Sequence, residues 1–162
     1  MKYTKDQLAA INTILNKRPS YMTCDRQLFS KGRNVVLSDT ILIVLQKPLW
    51  STGKELDVSR LIRSNETDDI ETGFAVDPAA THSNCGYIYV KIGDNAYFDP
   101  KILKRAFRAL KYRGEFVTLH YTVDQRTQQR YCNCLTFRTD YGYALVMACR
   151  IKDESALHEV EK

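Results

Sequence analysis

The sequence predicts an α+β fold in which two amphipathic helices pack on antiparallel sheets. Three observations carry that expectation. Residues 4–17 and 99–111 repeat apolar side chains at helical spacing. Between and after them lie β-branched runs broken by turn residues. The strands come in groups rather than alternating singly with helices, which favours an antiparallel sheet with helices on one face.

The first helix opens at Thr4, and Gln7 three residues on completes a capping-box pattern. Leu8, Ile11, Ile14 and Leu15 share one side, and Pro19 ends the helix. Residues 27–29 read as a short strand entering a turn at 30–33. Residues 34–37 and 40–46 are strands joined at Ser38-Asp39 and stopped by Pro48. Residues 50–55 read as a loop. Residues 57–63 are expected as a short helix capped by Asp57, with Val58, Leu61 and Ile62 on one side. Residues 64–84 hold many acids and little periodicity, and read as a long excursion, mobile at its start. Residues 86–92 alternate, with Tyr87, Tyr89 and Lys91 on one face and Ile88, Val90 and Ile92 on the other.

The second helix has the strongest start signal. Asp99 is its N-cap, and Pro100 follows where a missing N–H costs nothing. Leu103, Ala106, Phe107 and Leu110 form its apolar face, and Gly114 supplies the stop. Strands at 115–123, 131–138 and 143–151 close a single domain over residues 1–151. Residues 152–162 form a polar, frayed C-terminal tail.

With 162 residues, 44% hydrophobic and 27% charged, the chain is long enough for one core without disulfides or metal. Its longest apolar run, Ile41–Leu45, is too short to cross a bilayer, so no membrane partner is expected. The first fifteen residues are amphipathic and lack the apolar stretch of a signal peptide. Five cysteines, an odd number without scaffold spacing, read as reduced thiols of a cytoplasmic protein. The glycines are isolated, and neither G-x-S-x-G nor H-E-x-x-H occurs. The chain is therefore read as non-catalytic and without a cofactor.

The formal charge is +5, and its distribution is uneven. Residues 99–113 hold Lys101, Lys104, Arg105, Arg108, Lys111 and Arg113 against Asp99 alone, which is six minus one. The first four stand at i, i+3, i+4 and i+7, one stripe opposite the apolar face, and Lys111 extends it. Solvated helix faces normally mix signs, whereas this one matches the spacing of a nucleic-acid phosphate backbone. Residues 63–77 are the counterpart, with five acids against Arg63.

His82-x-x-Cys85 and Cys132-x-Cys134 together offer one imidazole and three thiolates, a ligand set that zinc accepts. Strand alternation predicts Cys132 and Cys134 on one side. Strand cysteines usually pack as small apolar residues, so the expectation is no metal. His120 and His158 read as structural or solvated.

In this order and spacing the segments resemble one domain of the bacterial sliding clamp, the ring that holds a replicative polymerase on DNA. Residues 4–17 resemble its first helix, Val36-Leu37-Ser38-Asp39-Thr40-Ile41 a strand–turn–strand, and Asp57-Val58-Ser59-Arg60-Leu61-Ile62 the segment after the outer strands. Phe98 to Leu110 resembles the second helix with its lead-in. Ala144 to Ile151 resembles the closing strand, with Ala148 where the family has proline. The resemblance implies a sliding-clamp-like domain whose helices face DNA, and it narrows the nucleic-acid partner to double-stranded DNA. It implies a role as an accessory factor of replication or of a mobile element, and a peptide pocket at positions matching Leu145 and Met147. A clamp subunit strings several such domains together, so a ring here requires a homo-oligomer. Two other readings stand beside it. One is a protein-interaction module that docks partners on the acidic stretch. The other is a small zinc-dependent enzyme built on His82, Cys85, Cys132 and Cys134.

Overall fold

The computed structural model describes residues 2–16, 33–49, 56–78, 81–84, 87–151 and 158–159. The strand expected at 27–29 and the loop at 50–55 lie outside them, as does Cys85. Three helices are described: α1 (Lys5–Asn16), α2 (Ser59–Asn65) and α3 (Pro100–Ala109). The strands of the first half are β1 (Val35–Leu37), β2 (Ile41–Leu45), β3 (Asp69–Phe74), β4 (Thr81–Asn84), β5 (Tyr87–Ile92) and β6 (Ala96–Phe98). Those of the second half are β7 (Val117–Val123), β8 (Arg130–Thr139), β9 (Gly142–Met147) and β10 (His158–Glu159).

Six strands form one sheet in the order β1-β2-β9-β8-β7-β3, and four form another, β10-β4-β5-β6. Every strand pair is antiparallel, so the chain is α+β. The central place of β9 follows from its composition. Gly142–Met147 reads Gly-Tyr-Ala-Leu-Val-Met, apolar on both faces, which suits a strand covered on both sides. Gly142 enters that position at φ +149, and a Cβ there would stand 2.2 Å from the Val44 carbonyl oxygen. Only glycine allows β9 to start this close to β2.

One face of the large sheet receives α1 and α3. Ala10, Ile11 and Ile14 of α1 and Leu103, Ala106 and Phe107 of α3 join Ile41, Ile43, Leu135, Phe137, Ala144 and Val146 in the main core. Val90, Ile92, Ala96 and Phe98 of the second sheet enter the same cluster. Cys149 donates its N–H to the Tyr97 carbonyl at 2.7 Å and ties the end of the large sheet to β6. The far face of the large sheet carries a smaller cluster, Val35, Leu42, Cys134, Tyr143 and Leu145, onto which Ile62 of α2 and Val58 just before it pack.

The cap chemistry of the two long helices is as the sequence expects. Thr4 N–H donates to Gln7 Oε1 at 2.9 Å, and Gln7 N–H donates to Thr4 Oγ1 at 3.1 Å. The buried Gln7 amide also donates to the Ala109 carbonyl at 3.1 Å, so the start of α1 lies against the end of α3. Side by side in opposite senses, their dipoles attract. Asp99 accepts the Lys101 N–H at 2.8 Å, with Pro100 as the first helical residue.

Several expectations are corrected. The stop of α3 is Lys111, not Gly114. Lys111 takes φ 53, and Tyr112 N–H donates back to the Phe107 carbonyl at 2.8 Å. That bond, with Lys111 N–H to Arg108 at 3.3 Å, is a Schellman closure. Its hydrophobic contact is Tyr112 stacked on Phe107 at 4.0 Å. Asp57 does not cap α2: Val58 holds that position without a side-chain bond, and Asp57 accepts the Ser59 N–H at 3.0 Å in a turn just before it. The stretch 64–84 is not an excursion, for it contains β3 and β4. β6 is too short to show periodicity. Ile88 is 48% exposed, although it alternates with buried Val90 and Ile92. Two residues of the expected tail pair with β4 as β10.

Candidate nucleic-acid interface

Burial of one side of α3 fixes the orientation of the other. Leu103, Ala106 and Ala109 are fully covered and Phe107 is 6% exposed. Lys101 and Lys104 therefore stand in solvent, with Arg105 half-buried beside them. Among the described residues none of these three makes an ion pair. No acid occurs within α3, and the one at its start, Asp99, is engaged by the Lys101 N–H. The neighbouring surface of α1 offers Lys5, Asp6, Ala9, Asn12 and Thr13, small or polar groups that leave room for a close approach.

Arg108 differs from the rest of the stripe. Asp6 of α1 takes its guanidinium in a two-point contact, Nε to Oδ2 at 3.3 Å and Nη2 to Oδ1. The bond from Arg108 holds the Asp6 carboxyl below its ordinary range. Arg108 is thus engaged by Asp6, whereas Lys101 and Lys104 are not so held. Nothing in the sequence flags this pair, because its members lie 102 residues apart. Lys111 sits past the helix end, its Nζ 5.9 Å from the centre of the Tyr141 ring. With Arg113, Glu115, Thr139, Asp140 and Tyr141 it lines a polar cleft of about 250 Å³. Lys111 and Arg113 there face Glu115 and Asp140, so the cleft is close to neutral.

Leu145 and Met147 do come together. They line a small, mostly apolar pocket of about 60 Å³ on the far face, with Leu37, Leu42 and Leu61. Ser38, Asp39 and Asn65 contribute to its polar side.

The acidic stretch is largely occupied by internal partners. Asp69 receives Arg130 at 2.6 and 2.9 Å, Glu71 receives it at 3.2 Å, and Glu66 accepts the Tyr143 hydroxyl at 2.6 Å. Asp77 is also engaged. Few of these carboxylates remain for an outside partner.

The zinc arrangement meets a geometric obstacle. His120 opposes Cys134, but the next residue, Tyr121, opposes Cys132, so Asn133 is the extra residue of a β-bulge. The bulge turns Cys132 into the main core and Cys134 into the far-face cluster. The prediction that both point to one side is overturned, and the sheet itself separates the two sulfurs. Burial pushes both thiols up to about 12, which keeps them protonated. Of the other candidates, the His82 side chain and Cys85 lie outside the described groups. Among the described residues no three His, Cys, Asp or Glu side chains gather as a metal site. His120 is buried and bonded to Thr136 at 2.9 Å, a structural role. No described helix is long and apolar enough to cross a membrane. No protein-family model, no curated protein and no solved structure matches this chain.

Proposed function

We propose that this protein is a non-catalytic, clamp-like factor that contacts double-stranded DNA through phosphates, as an accessory of replication or of a mobile element. One observation carries the reading: Lys101, Lys104 and Arg105 form a cationic patch without an ion pair among the described residues, on a helix whose opposite side is locked into the core. Such a patch binds phosphate without reading bases. Self-association into a ring belongs to the same proposal, since one domain alone cannot encircle DNA.

The test is a salt titration of binding to random duplex DNA. Three open cations imply a slope of log K against log salt of about −3. Replacing Lys104 and Arg105 together by Glu removes most of the binding, while the circular dichroism melt stays that of wild type. Equal binding by both proteins, or none by either at low salt, overturns the reading.

A protein-interaction module is the second reading, favoured by the pocket that joins Leu145 and Met147 to Leu37 and Leu61. Its size suits one apolar side chain of a short peptide. Methyl resonances of Leu145 and Met147 should then shift on titration with a leucine-bearing peptide and stay still with its serine counterpart.

A further inference from the structure

Asp6 and Arg108 meet on the outer surface of the α1–α3 layer, with side chains 63% and 54% exposed. Asp6 is the one acid of α1, and α3 has none. Arg108 lies one turn beyond Lys104 and Arg105, on the same stripe. A carboxylate that grips a guanidinium at two points presents to it what a phosphate presents, a pair of anionic oxygens matched to its fork. An ion pair this exposed contributes little to the fold, so Asp6 can be replaced without unfolding the protein.

We infer that Asp6 is an internal competitor for phosphate, holding Arg108 and withholding it from the phosphates that the patch contacts. This rests on the DNA reading proposed above. Asp6 then acts as a positioning residue that limits affinity. With Asp6 in place the patch offers three cations. Without it the patch offers four, and binding becomes both tighter and more sensitive to salt.

The experiment is the same salt titration, with wild type, Asp6→Asn, Asp6→Glu, Arg108→Gln and the Asp6→Asn/Arg108→Gln double variant. Asp6→Asn is expected to bind about five- to tenfold more tightly at low salt, with a slope steeper by about one. Asp6→Glu should keep the wild-type slope. In the Arg108→Gln background, Asp6→Asn should leave the slope unchanged. An Asp6→Asn slope equal to wild type overturns the inference while the DNA reading survives. So does an equal gain in the Arg108→Gln background, which makes Asp6 only a nearby negative charge. A wild type that does not bind at low salt overturns both. An acid in the first turn also supports its helix, so each variant is melted first. Asp6→Ser replaces Asp6→Asn if the latter loosens α1.

Discussion

Arg130 is held from three directions. Its guanidinium lies 3.5 Å from the centre of the Tyr121 ring, while Asp69 and Glu71 take its N–H groups. Glu71 also accepts the Tyr121 hydroxyl at 3.3 Å, which closes the network. The phenol is pushed up by burial first and by Glu71 second, so it stays a donor. The Arg130 bond lowers the Asp69 carboxyl from its ordinary 3.8. A lowered carboxyl contributes stability that is fully present above its unfolded value and is lost as pH falls through its folded value. Urea melts should therefore show constant support from this pair above about pH 5 and a loss as pH drops well below 3.8. Asp69→Asn should be less stable than wild type at neutral pH and should lose less on acidification. Parallel acid curves for the two proteins would remove Asp69 from that role.

At the level of elements, α3 was the most legible part of the chain. Asp99-Pro100 marks its start chemically, and its apolar residues recur at the right spacing. Phe107 shows what the helix contributes. It stacks on Tyr112 and meets Phe137 edge-on at 5.2 Å. Phe107→Ala should destabilise by about 3–5 kcal/mol in denaturant melts. A cost below about 1 kcal/mol would mean that the aromatic trio does not anchor the helix. The elements that could not be read share a physical reason. β3 is an edge strand, exposed along most of its length and interrupted at Gly73, so no apolar alternation marks it. The bulge at Asn133 arises from pairing between β7 and β8, and a period of two read along β8 alone cannot register an extra residue. The candidate interface divides the same way. The stripe itself was legible because it lies within one helix. The withdrawal of Arg108 was not, because Asp6 belongs to another.

Across the whole molecule, the cationic layer of α1 and α3 and the apolar far-face pocket lie on opposite sides of one sheet. Charge reversal on the first should thus leave the second intact, and the two proposed functions can be tested in one protein. The sheet between them depends on distant partners: β2 pairs with β9, and β3 with β7. Such long-range pairing slows folding relative to helical proteins of similar size. A chain cut after Thr139 should fail to fold, with no cooperative melt by circular dichroism, because β2 and β8 then both lose their neighbour. A cooperative melt in that fragment would show that β9 is dispensable.

The central position of β9 also bears on how the chain is made. A ribosome delivers α1, β1 and β2 early, yet the strand that must lie beside β2 is among the last described parts to emerge. Until then Ile41, Ile43 and Leu45 lack Ala144 and Val146 beside them in the core, and the inner edge of β2 offers its backbone to any strand nearby. Between the synthesis of β2 and that of β9 the nascent chain is therefore exposed to wrong pairing, and completion of the sheet is coupled to the arrival of residues 142–147.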